Sequence, residues 1–465
     1  MTPDQEKKVL ETLYDRLYDA LTHVPGGEKT GDFDKATTFL QMTKNVVLNP
    51  DDFRNAASSI NPKGDLRSTF ALSALVDVVP TVSAEWSDST KLVSETYKNI
   101  VDNANADNTE DPAQKAIYDK AYAFLNSKSS IPNFDGPATE TFGPSAIALA
   151  YDQNQTAYVN AIGGYRLAFN SYNLDNLEDQ RKFQAVAPGL QNTIDQAWNK
   201  WVREGKQNVE RASNALRTSI NNAISAAITQ AQDSMNDQSA LAPQLTGGKR
   251  WFASYVMPTN WHDPSCRGSK LTLSSKFLAT STSDESSEYS SHSKGLFWTS
   301  TSSEDKTTKV NSTSMQSDDF ELSAELITVR IRRPWLNSIL FNMTDWWASG
   351  TPKDRISNGK IKGNESSLLP LIPTAFIVAK DVTIKANFTS QDTEHFTSDS
   401  SSRDSRGWGW GPFSGGGRYA HSRSENDKFQ ASYANGLLKL PGLQLIAWVS
   451  TITPPCPPKD EPASA

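Results

Sequence analysis

Between residues 241 and 249 the spacing of apolar residues changes, and this constrains the fold more than any other feature of the chain. Before the switch, apolar residues recur at helical spacing; after it, they alternate with polar ones. Pro243 and Gly247-Gly248 interrupt regular structure at the switch itself. The pattern predicts an α+β protein, with an N-terminal helical bundle over residues 1–240 and an antiparallel β domain over 250–453. The Pro-rich stretch 454–465 reads as a disordered tail.

The clearest helical stripe runs from Leu190 to Met235. Ile194, Trp198, Val202, Val209, Ala212, Leu216, Ile220, Ile224, Ile228 and Ala231 fall on one face, which predicts one very long helix of roughly 70 Å. Such a helix must lay its stripe on others. Helices expected at 3–24, 34–48, 66–79, 89–105 and 112–125 supply partners, with an intermolecular coiled coil as the alternative. Residues 132–144 read as loop, and a buried helix follows, with a break expected at Gly163-Gly164.

Beyond the boundary, Trp251–Met257 is a first strand, and Leu271, Leu273 and Phe277 alternate with polar residues. Phe320, Leu322, Ala324 and Leu326 resume the alternation. Ile327, Val329 and Ile331 take the opposite parity, which predicts a bulge near Leu326. Trp335 to Trp347 reads as a short buried helix. Pro370 and Pro373 delay the next strand to Thr374 onward, and Leu443 to Ile452 is a strand covered on both faces.

The scheme repeats. Leu271-Thr-Leu273 is echoed by Val382-Thr-Ile384, the Gly295 tip by Gly407, and Phe320 by Phe429, at offsets of about 110 residues. The units span about 251–345 and 368–453, each carrying a long Ser/Thr-rich hairpin. Large apolar residues, most of them aromatic, stand where turns should be polar: Leu296, Phe297 and Trp298 in one arm, and Trp408, Trp410 and Phe413 in the other. Trp suits a membrane interface, and a strand needs only about 9–11 residues to cross a bilayer.

The expectation is a membrane-engaging, pore-forming protein whose arms join those of other subunits into a closed barrel, since open edges cannot sit in lipid. The layout is similar in concept to pore-forming proteins that deploy two hairpins per subunit, an analogy of architecture alone. Residues 280–294 offer almost no apolar side chain to lipid, which counts against insertion. Two alternatives stand beside it. The arms pair between subunits to build a filament or ring, making the partner a second copy of the chain rather than a bilayer. Or the β domain is a sandwich whose Trp-bearing loops bind a glycan or another planar ligand. Arg330 and Arg332 share one strand face and suit either an anionic headgroup or acidic residues of the helical body.

No catalytic constellation, metal site or cofactor motif emerges. His23, His262, His292, His395 and His421 form no zinc-binding spacing. His262-Asp263 near Cys266, and Asp318-Asp319 with Glu321, read as ordinary loops, and Gly415-Gly416-Gly417 lacks a phosphate-loop context. The formal net charge of −7 argues against a dedicated nucleic-acid binder. Cys266 and Cys456 are the two cysteines, and free thiols are favoured over a pair. No run of about 18 apolar residues exists, and the charged N-terminus lacks a secretory signal. Synthesis in the cytoplasm is the expectation, with any release independent of a signal peptide.

Overall fold

The alternating segments converge on one antiparallel sheet. The computed structural model describes residues 3–462 apart from 23–32, 35, 58–60, 62–63, 84, 107–110, 134–135, 170, 173–176, 220–222, 237–240, 243–250, 275–319, 387–408, 411 and 421–427. The sheet has eight strands: β1 (Thr38–Leu48), β2 (Tyr255–Met257), β3 (Ser269–Ser274), β4 (Glu321–Arg332), β5 (Leu371–Lys385), β6 (Ser432–Ala434), β7 (Leu437–Leu440) and β8 (Leu443–Ile452). Its path is β1-β8-β5-β4-β3, with β2 beside β4, β7 beside β5 and β6 beside β7. Among the described residues there are eight α-helices: α1 (Pro3–Thr22), α2 (Leu66–Val76), α3 (Val93–Asp102), α4 (Pro112–Leu125), α5 (Ala146–Phe169), α6 (Leu177–Arg203), α7 (Lys206–Ser219) and α8 (Ile224–Asn236). The fold is mixed α+β.

Both faces of the sheet are covered. Leu322, Ala324 and Leu326 of β4 and Ala375, Ile377 and Ala379 of β5 pack with Leu13, Leu17 and Leu21 of α1 and Val159 and Leu167 of α5. Ile327, Val329 and Ile331 of β4, Phe376 and Val378 of β5 and Trp448 of β8 pack on the other side with Leu72, Leu75 and Val76 of α2 and with Trp261. The change of parity along β4 is therefore a strand buried on both sides, with no register break at Leu326. The bulge lies next door: Ser323 and Glu325 of β4 pair with Thr383 and Lys380, leaving Asp381 and Val382 opposite Ala324. Asp381 adopts φ +52° there, a conformation that Asp tolerates better than most residues.

A second core joins Tyr97 of α3, Tyr118 of α4, Leu216 of α7 and Ile228 of α8 to Trp335, Leu340, Trp346 and Cys456. A smaller aromatic core, with Tyr158, Trp201 and Ile194, holds α5 against α6.

Several expectations are corrected. Residues 38–48 form β1 instead of a helix. Leu40 and Met42 enter one core and Leu48 another, and Asp34, where the helix was expected to open, accepts Ala36 N at 2.8 Å in a turn. The single long helix is three helices. Gly205 adopts φ +104° between α6 and α7, and a Cβ there would lie 2.9 Å from Ile147 Cδ1. Val202 is exposed while Trp201 is buried, so the stripe changes face at this break. Gly163-Gly164 lies inside the continuous α5. Residues 126–133 and 136–144 pair as a hairpin where a loop was expected. Trp335 to Trp347 holds a short 3-10 helix (Ser338–Asn342), then a strand (Trp346–Ala348) paired with Ala104–Ala106. β5 starts at Leu371, with Pro373 at a register shift against β8, the kind of irregular position where a strand tolerates proline. The Pro-rich tail packs: Cys456 is fully buried, and its backbone exchanges hydrogen bonds with Ser357 (2.9 and 3.1 Å).

Candidate functional site

The roots of both arms lie at one end of the sheet. Ser274 of β3 pairs with Glu321 of β4, Glu321 with Lys385 of β5, and Lys385 with Leu437 of β7. β3, β4, β5 and β7 are thus four neighbours in one antiparallel ribbon. Both long Ser/Thr-rich stretches depart from that single row. Leu271 and Leu273, and their echoes Val382 and Ile384, all face the same core beneath it. The two stretches pair differently, β3 with β4 and β5 with β4, β7 and β8, and they differ again on the return. Phe320 leads directly into β4, whereas Phe429 lies in a separate ribbon, Gly416–Arg418 against Lys428–Gln430.

Leu296, Phe297, Trp298 and Trp408 lie outside the described residues. Trp410 belongs to a short ribbon, Gly409–Trp410 paired with Phe413–Ser414. Phe413 is fully buried among the residues beneath the sheet, so in this structure it is a core residue and not an exposed tip. Gln444 fixes the ribbon from below: its Oε1 accepts Ser414 N at 2.9 Å, and its Nε2 donates to Ser414 O at 3.1 Å. Ala431 N donates to Gly415 O at 2.6 Å, and Ala420 N to Val47 O at 2.8 Å. The second arm is therefore held against the body at its base.

The free edge of the ribbon is covered. Arg16 of α1 donates from Nη1 to Thr272 O of β3 at 2.9 Å. An uncovered edge would present unpaired backbone groups to other chains. Burial brings the Arg16 guanidinium down to about 9. Its position on the buried side of α1 beside Leu13 and Leu17 was the sequence signal, and the reading missed it.

The three arginines at the end of β4 face inward. Arg330 is 1% exposed, with its guanidinium carbon 5.1 Å from the ring centre of Phe33. Arg332 makes a two-pronged contact with the Asp152 carboxylate of α5 through Nε and Nη2. The acidic residue of the helical body, and not an outside anion, is what Arg332 meets here. Arg333 donates to Val76 O at 2.5 Å and Pro373 O at 2.6 Å. Burial lowers Arg333 to about 10, and the Asp77 charge opposes that shift. Burial also raises the Asp77 carboxyl, against hydrogen bonds from Ser94 N (2.8 Å) and Ser94 Oγ (2.5 Å).

Among the described residues, no group of three or more His, Cys, Asp or Glu is placed to hold a metal ion, and no helix is long and apolar enough to cross a membrane. Cys266 and Cys456 are free and buried, in different cores, and burial raises both thiols. In comparisons with known proteins, no family model, no curated protein and no solved structure matches this chain.

Proposed function

We propose that the chain engages lipid bilayers through its two arms, which extend from the sheet as adjacent hairpins and join those of further copies in a closed barrel. The observation that supports this reading is the shared row Ser274–Glu321–Lys385, from which both arms depart. Limbs continuing from these three adjacent, antiparallel roots start as neighbours, while β7 turns at once into β6 and the second arm returns through the docked ribbons. Residues 275–320 provide limbs of about 20 residues, twice the 9–11 that cross a bilayer. Ser and Thr then line an aqueous interior, and the apolar tips Leu296-Phe297-Trp298 and Trp408 lead into the membrane. The docked Phe413 ribbon and the Arg16 clasp belong to the form before engagement.

The test is dye release from liposomes by the purified chain, across lipid mixtures and pH, with imaging of the protein on and off lipid. Leakage that falls at least tenfold in Trp298→Ser and Trp408→Ser, with rings seen on lipid, is the expected result. No leakage under any condition ends the proposal. Stable rings or filaments without lipid reassign the arms to pairing between subunits.

A further inference from the structure

The helical layer over the sheet margin encloses a cavity of about 490 Å³ between α1, α5, α6, β4 and the start of β3. Small-molecule pockets typically measure roughly 300–1,000 Å³ and are mostly apolar with a few polar groups. Leu17 and Leu21 of α1, Val159 and Leu167 of α5, and Leu326 and Ile377 of the sheet supply aliphatic wall. The wall is close-fitting at Gly164, where a Cβ would stand 3.1 Å from Ser269 Oγ.

Charge makes the cavity selective. Its lining includes two cations, Arg267 and Lys270, and no acidic residue. Both cations are exposed, which places them at the opening. The carboxylates on the adjoining stretches are engaged elsewhere. Asp19 holds Arg166 at 2.9 Å, and Glu325 lies 3.6 Å from Lys380 and accepts Gly268 N at 2.5 Å. In a chain of net charge −7, an apolar cavity with a wholly cationic rim favours one ligand class.

We propose that this cavity binds a single-chain amphiphile with a carboxylate head, a medium- to long-chain fatty acid. Its tail lies among the leucines and its head at Arg267 and Lys270. The inference stands apart from the bilayer reading, because it concerns a monomeric ligand and residues that lie outside the arms.

Calorimetric titration of the full chain with octanoate, decanoate, dodecanoate and tetradecanoate, each below its micelle concentration, tests it. One saturable site is expected, tightening by roughly fourfold per methylene until the cavity is full. Dodecanol should bind at least about tenfold more weakly than dodecanoate, and Arg267→Glu should weaken dodecanoate by a similar factor. Ala161→Trp, which fills the cavity, should remove binding with the melting temperature retained. If that variant fails to fold, Thr193→Trp at the exposed rim replaces it. Absence of saturable binding, or native affinity in the cavity-filling variant, overturns the site. Equal affinity for the alcohol and the acid overturns the assignment of a carboxylate head. No bilayer enters the experiment, so its failure leaves the arm proposal standing, and the reverse also holds.

Discussion

Replacing Phe413 with Ala separates a docked ribbon from an exposed tip. The ring is 0% exposed and packed beneath the sheet, so its removal deletes a full aromatic side chain from a closed environment. Phe-to-Ala changes of this kind cost about 3–5 kcal/mol. The ribbon's other ties include the two Gln444 bonds to Ser414 and the backbone bonds from Ala431 to Gly415 and from Ala420 to Val47. The loss should therefore fall first on local docking, leaving the sheet folded. At about 1.4 kcal/mol per factor of ten, amide exchange at Ser414 should accelerate by roughly two to three orders of magnitude. Exchange in β5 and β8 should change little. Phe413→Leu, which keeps most of the volume, should lose far less. Hydrogen exchange read by mass spectrometry on peptides covering 412–420 is the measurement. An acceleration under about twofold, as a surface substitution of under ~0.5 kcal/mol produces, would refute the docked arrangement.

Three further outcomes follow from the same geometry. Asp152→Ala strands the Arg332 charge in a site where the two side chains are 12% and 19% exposed, and should cost about 2–4 kcal/mol by urea unfolding. The double variant Asp152→Leu with Arg332→Met should recover most of that. Burial lowers His262, whose Nδ1 has no hydrogen-bond partner. The folded state therefore prefers the neutral ring, so the stability it contributes is complete above the unfolded value of 6.5 and is lost as pH falls below it. The melting temperature should drop on acidification through that range, and His262→Gln should flatten the drop. Gly268→Ala would place a Cβ 2.2 Å from Leu326 O, in contact with backbone that cannot yield, and should destabilise the β3–β4 pair at the end away from the arms by at least about 2 kcal/mol in thermal melts.

Part of this architecture is readable from the chain alone. α4 follows a capping Asp111 and a Pro at the first helical position, α1 carries unbroken apolar spacing, and α5 was expected as a helix, though with a break at Gly163-Gly164 that it does not have. β4 and β8 announce themselves by period and by apolar runs. The failures share a cause: local pattern does not reveal what covers an element. Residues 34–48 were expected as a helix opening after Asp34, and only pairing with β8 settles β1 as a strand. The opposite parities in β4 suggested a bulge because burial on both faces was not considered there. The break at Gly205 did have a signal, a glycine inside a helical stripe, and the reading passed over it. The contacts that close the candidate site had little local trace. Arg332 and Asp152 are 180 residues apart, and Ser414 and Gln444 meet across 30. The common row of arm roots is a property of strand order, which pattern along one chain does not encode.

The guanidinium of Arg16 and its acceptor on β3 are separated by 256 residues of sequence. At a translation rate of about 5–20 residues per second, α1 leaves the ribosome on the order of tens of seconds before the strand it shields. The outer margin of the sheet therefore never emerges without its guard already made. Meanwhile the oily side of α1 waits for the strands, and any holding chaperone acting on the nascent chain has its natural client in Leu13, Leu17 and Leu21.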